Sequence, residues 1–86
     1  MADKYSQLLI NRILSLCEKR GITVYQLSRM SGVSHSTLGN ILNENTSNPR
    51  IRTLHKIATA FSMTIAEFLD FKELNDYSFD DEENEY

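Results

Sequence analysis

Thr23-Val24-Tyr25-Gln26-Leu27-Ser28-Arg29-Met30-Ser31-Gly32-Val33-Ser34-His35-Ser36-Thr37-Leu38-Gly39-Asn40-Ile41-Leu42-Asn43 reads as two short helices joined by a tight turn. Thr23 and Gln26 have capping-box spacing: the Thr23 hydroxyl can accept from the Gln26 backbone N–H, and the Gln26 side chain can reach back to the Thr23 N–H. Ile22 and Leu27 flank that cap as a hydrophobic staple. Gly32 supplies the turn, where a positive φ costs a glycine little. Ser34 starts the next helix, Val33 and Leu38 repeat the staple spacing, and Leu38, Ile41 and Leu42 form its apolar stripe. The helices are expected over residues 23–31 and 34–43.

The same signals extend outward. Tyr5, Leu9, Ile13, Leu16 and Cys17 recur at helical spacing, with Ile10 and Leu14 alongside, and predict a helix over residues 4–20 with Asp3 as N-cap and Gly21 as its stop. A polar loop runs from Asn43 to Asn48, and Pro49 ends it at a position tolerated only in a first helical turn. Ile51, Leu54, Ile57, Ala58 and Phe61 give the buried face of a helix over 50–61. Thr64 and Glu67 form a second capping box, with Met63 and Phe68 at staple spacing, for a short helix over 64–70. No segment alternates with period two long enough for a strand. The fold class expected is all-α: a compact bundle of five helices with an acidic C-terminal tail.

Composition narrows the function. The 86 residues fit one domain, with 41% apolar and 24% charged residues, ordinary for a globular chain. Residues 1–71 hold eight Lys or Arg against five acids, whereas residues 72–86 hold Lys72 against seven acids, so the net charge of −3 belongs to the tail. The folded part is mildly basic, compatible with phosphate contact. The tail is expected to be loosely ordered: a solubilising extension, a docking segment for a partner protein, or a polyanion that folds back over the basic face. Met1-Ala2-Asp3-Lys4 lacks a basic-then-apolar leader pattern and no apolar run suits a bilayer, so a cytosolic location and no membrane partner are expected.

Removing the apolar stripe from the second helix of the opening stretch leaves Ser34, His35, Ser36, Thr37, Gly39, Asn40 and Asn43. A solvated face would favour Glu, Lys, Gln or Arg; Ser, Thr, Asn and Gly are poor helix formers. Short polar groups let a helix approach a surface closely, and a helix fits the major groove of DNA, which is about 12 Å wide. Asn can bond the adenine edge, while Ser, Thr and His can donate or accept.

With these residues in view the chain resembles a known family. Ile22 to Ser28, Gly32-Val33-Ser34-His35-Ser36-Thr37-Leu38, Asn48-Pro49-Arg50-Ile51-Arg52-Thr53-Leu54-His55-Lys56-Ile57-Ala58 and Ser62 to Phe68 look like the lambda-repressor-like helix-turn-helix domains of the Xre family. The resemblance covers about residues 8–70. It implies a transcriptional regulator that binds double-stranded operator DNA, usually as a homodimer on a palindrome, and acts as a repressor by occlusion. It implies base reading by His35, Ser36, Gly39 and Asn40, with Gly39 offering close approach, and phosphate contact by Ser34, Thr37, Asn43 and the loop residues Asn45, Thr46, Ser47 and Asn48. Many members carry Gln just after the N-cap of the first of these two helices, where it bonds a phosphate and braces the reading helix; here Val24 stands there, so either that contact is lost or Tyr25 replaces it. Where many have Gly after the Asn that ends the reading helix, this chain has Glu44, which leaves the left-handed conformation to Asn43 or Asn45. The dimer surface implied lies at the far end of the bundle, with Leu69 and Phe71 as its exposed apolar groups.

Arg50 and Arg52 are read as phosphate contacts, with a plain solvated face as the alternative for them and for Lys56; Arg29 carries the same two readings. Cys17 reads as a small buried hydrophobe, with a redox role as the alternative. His35 and His55 have no carboxylate or thiol at ligand spacing, so no metal is expected. Ser34, His35 and Ser36 are helix neighbours that do not face one another, so they are not a nucleophile–base pair, and no enzyme activity, cofactor or small-molecule ligand is expected. The rival to the DNA reading is a helix-turn-helix-fold module that binds a protein such as a toxin or another regulator.

Overall fold

The computed structural model describes residues 4–43 and 48–81. Asp3, and Glu44 to Ser47 of the polar loop, lie outside the described residues, so the expectations placed on Asp3, Glu44, Asn45, Thr46 and Ser47 do too. The elements are α1 (Lys4–Arg20), α2 (Val24–Ser31), α3 (His35–Leu42), α4 (Ile51–Ala60), α5 (Ile65–Leu69) and α6 (Lys72–Asn75), followed by a 3-10 turn over Phe79–Asp81. The described residues contain no strand, and none of their helices is long and apolar enough to cross a membrane.

Local chemistry starts the helices where the sequence predicts. Thr23 and Gln26 exchange bonds of 2.8 and 3.0 Å, and Thr64 and Glu67 repeat the pattern at the same distances. Ser34 caps α3 by accepting from the Thr37 N–H at 3.0 Å. Each such cap contributes about 1 kcal/mol, a large share of the stability of a five-residue helix such as α5, which could not stand alone.

Tertiary packing supplies the rest. α2 packs on α3 and α4, α4 on α5, and α1 on α2 and α6. Ile13, Leu27, Leu38, Ile57, Ala58, Phe61 and Phe68 are fully buried at the centre, with Cys17 among the other core residues. Burial pushes the Cys17 thiol upward from its ordinary range, which keeps it protonated and weakly nucleophilic near neutral pH. Two cations of α1 tie the bundle together. Arg20 donates to Phe61 O at 2.6 Å at the end of α4. Arg12 donates to Phe68 O at 2.9 Å and Glu67 O at 3.0 Å in α5. A guanidinium suits these carbonyls, which carry the negative end of the helix dipole.

Several expectations need correction. Ile51 is 62% exposed although it falls on the apolar stripe. Helical side chains lean toward the N-terminus, so the first residue of α4 leans past the end of the bundle. Leu69 and Phe71 are not free apolar groups. Both are half-buried; Leu69 packs on the core, and the Arg12 guanidinium lies 5.0 Å from the Phe71 ring centroid. Asn43 has φ −93°, so it does not take the left-handed conformation. The start of the tail is folded where loose order was expected: α6 packs against α1, and Tyr77 and Phe79 bring their rings to 5.1 and 5.6 Å from that of Tyr5. Aromatic contacts of this kind hold an acidic segment that composition alone assigns to solvent.

The end of α4 holds a feature without a local sequence signal. Ser62 has φ +59°, and the bonds Met63 N–H to Ala58 O and Ser62 N–H to Thr59 O, both 2.9 Å, complete a Schellman turn. A non-glycine residue in this region is strained by about 1–2 kcal/mol. Ser62→Gly is expected to stabilise the protein by about 1 kcal/mol and to raise Tm by about 4–8 °C. Gly32→Ala, at φ +75°, should lower Tm by a similar amount. Thermal melts of the two variants followed by circular dichroism check the opposite signs.

Candidate nucleic-acid interface

The turn between α2 and α3 decides what α3 can present. Gly32 adopts φ +75° and donates its N–H to Ser28 O at 3.1 Å. Ser28 Oγ donates to Val33 O at 2.7 Å, and Val33 N–H donates to Ser31 Oγ at 3.1 Å. Buried Leu27, Val33, Leu38 and Ile41 then pin the inner sides of both helices in the core. The opposite side of α3 is left to solvent.

His35, Ser36, Thr37 and Asn40 are exposed, as are the caps Ser34 and Asn43. Gly39 sits among them, and among the described residues a Cβ built there would meet only Asn43 Nδ2, at 3.9 Å. The glycine therefore relieves no crowding among the described residues; a smooth helix face helps if something approaches from outside. The Ser34 hydroxyl accepts from the Thr37 N–H and donates to Thr37 Oγ1 at 2.9 Å. Its single proton is thus used internally, while the Thr37 hydroxyl keeps a proton to donate outward.

The structure gathers some of the expected phosphate-contacting residues and separates others. Arg50 is the α4 N-cap, makes no side-chain cap bond and is exposed. It shares a shallow groove with Thr37, Asn40, Asn48, Pro49 and Thr53. Asn48, which the resemblance places among the phosphate-contacting loop residues, lies on this rim, and Thr53 adds a polar group there that sequence reasoning does not single out. Arg52 lines a different groove, between α2 and α4, with Met30, Ser31, His55, Lys56 and Thr59. Tyr25 is 58% exposed, and its ring lies 5.9 Å from that of His35. From Ile22 to Ala66 there are four Lys or Arg and a single acid, Glu44. This stretch is therefore cationic although the whole chain is not. Arg12 and Arg20 are held in the bundle by their carbonyl contacts.

A short polar helix carried outward on a glycine turn, in an acid-poor surround, defines a helix-turn-helix protein of the DNA-binding class. The chain belongs to the Cro/C1-type HTH DNA-binding domain family, whose model matches residues 12–73. No curated protein and no solved structure matches the chain significantly.

If Gly39 serves an outside surface, replacing it should help the free protein. Gly39→Ala is expected to stabilise the fold by about 1 kcal/mol, the glycine-to-alanine difference in a helix interior. Urea unfolding measures this; destabilisation would contradict the open geometry at that position.

Proposed function

We propose that the protein is a sequence-specific transcriptional regulator, a repressor that occludes a promoter or operator. The observation that carries this reading is the outer face of α3, built of short hydrogen-bonding groups around an uncrowded glycine. With α3 in the major groove, His35, Ser36 and Asn40 meet base edges and Gly39 lets the helix come close. Thr37, Tyr25, Asn43 and Arg50 meet phosphates, together with Asn45, Thr46 and Ser47 of the following loop. Ser34 contributes by orienting Thr37, and Arg52, in the neighbouring groove, meets a flanking phosphate. One eight-residue helix buries too little surface for high specificity, so the active species is a homodimer on a palindromic site. The reading places the protein in the cytoplasm of a bacterial or phage-infected cell, with no cofactor or small-molecule ligand.

Selection from random duplexes followed by a salt titration tests this. One preferred, two-fold symmetric sequence is expected, with log K falling by about 0.9 per phosphate contact as log salt rises. Asn40→Ala should cost about 1–3 kcal/mol on the selected duplex and little on random DNA. Gly39→Ala should weaken binding while stabilising the free chain. Failure to bind any duplex at low salt would reject the DNA reading and favour a protein-binding module.

A further inference from the structure

The outer side of α2 and the adjoining face of α4 form a second concave surface. One groove is lined by Met30, Ser31, Arg52, His55, Lys56 and Thr59. At Met30 it runs into a more apolar hollow formed with Tyr25, Gln26 and Arg29. Met30 is 54% exposed, and no acid lines either part. Among the described residues the ion pair is that of Lys72 with Asp76, so Arg29, Arg52 and Lys56 have no carboxylate partner there. Met, Tyr and Arg are enriched where proteins meet proteins, and a thioether adapts its shape to an incoming apolar group. The groove therefore fits an acidic peptide that carries a ring.

This chain contains such a segment. Asp80-Asp81-Glu82-Glu83-Asn84-Glu85-Tyr86 holds five acids, no cation and the Tyr86 ring. Reach decides whose groove it meets. The chain just before it is held at Tyr5, where Tyr77 and Phe79 bring their rings to 5.1 and 5.6 Å. Tyr5 lies in the first turn of α1, about 22 Å along the helix axis from Arg20. Arg20 bonds Phe61 O at the end of α4, two residues beyond Thr59 of the groove. Residues 82–86 span at most about 18 Å when fully extended. The segment therefore reaches a neighbouring molecule more readily than its own groove.

We infer that the α2–α4 groove is a docking surface for the acidic segment 80–86 of a second copy of this chain, with Tyr86 against Met30 and carboxylates against Arg29 and Lys56. Exposed ion pairs are individually weak, so the contact does not hold a dimer in free solution. It takes effect when two copies are held side by side, at an effective concentration on the order of millimolar. Neighbouring DNA sites supply that arrangement; this use of the groove rests on the DNA reading proposed above, whereas the docking does not.

A synthetic peptide of residues 79–86, titrated into the full chain at low salt, tests the docking. NMR follows the Met30 methyl and the amides of Arg29 and Lys56. Shifts that grow over the millimolar range and vanish at about 0.5 M salt are expected. Replacing the five acids of the peptide by Asn and Gln should abolish them. Lys56→Glu in the protein should weaken binding about fivefold, and a peptide with Glu82→Lys and Glu83→Lys should bind that variant better than it binds the wild-type protein. Lys56 is exposed, so the variant should fold, and a melt confirms that. Equal shifts from the neutral peptide, or shifts confined to α1, would overturn the inference. On a duplex carrying the selected site twice, the full chain should fill the second site about fivefold more readily than the first, and Glu82→Lys with Glu83→Lys should remove that advantage. Peptide shifts without the advantage would place the segment in the groove of its own molecule and overturn the assignment to a second copy. If the chain selects no duplex, the DNA reading fails, and the peptide titration alone decides the docking.

Discussion

The left-handed turn at Gly32 is the constraint on which the rest of the structure depends. Its φ of +75° reverses the chain within a few residues, and hydroxyls of Ser28 and Ser31 occupy the polar groups that the reversal exposes. That geometry sets α3 across α2 with Leu38 and Ile41 inward and the amide and hydroxyl groups outward. A side chain at residue 32 would strain the backbone rather than clash, since among the described residues nothing lies within 4 Å of a Cβ built there. The cost is therefore conformational, and it falls on the angle between the two helices.

The bundle serves mainly to hold that angle. α2 is braced from behind by α4, and α4 and α5 are held in turn by Arg20 and Arg12, which reach their terminal carbonyls from α1. Cations that composition would count toward DNA attraction are thus spent on internal structure. Beside Lys4 and Lys19 of α1, the cations left for a polyanion are Arg29, Arg50, Arg52 and Lys56, in a stretch whose single acid is Glu44. The start of the acidic segment is drawn instead toward α1, where Tyr77 and Phe79 pack on Tyr5.

The parts legible in the sequence were those governed by neighbours three or four residues apart. Thr23 with Gln26, Thr64 with Glu67, and Ser34 before its polar helix could be read directly, because a cap needs only its own first turn. The turn at Gly32 was legible because one residue type dominates that conformation. Ser62 was not, since serine carries no signal for positive φ and takes it only because α4 ends there against the core. The arginine clamps join residues 56 and 41 positions apart, a separation that no periodicity reports. Ile51 misled because helical phase is blind to where the neighbouring helices end. On the candidate site, the polar face of α3 was legible as composition, but the Tyr25–His35 contact depends on the angle between two helices.

The central claim is that the outer face of α3 is the surface that meets DNA. Amide chemical-shift mapping by NMR, with the selected duplex added to the folded chain at low salt, tests it most directly. The account predicts the largest shifts from Ser34 to Asn43 and at the start of α2, with Tyr5, Tyr77 and Phe79 unmoved. Shifts centred on α1, α6 and the aromatic cluster, with α3 silent, would contradict it.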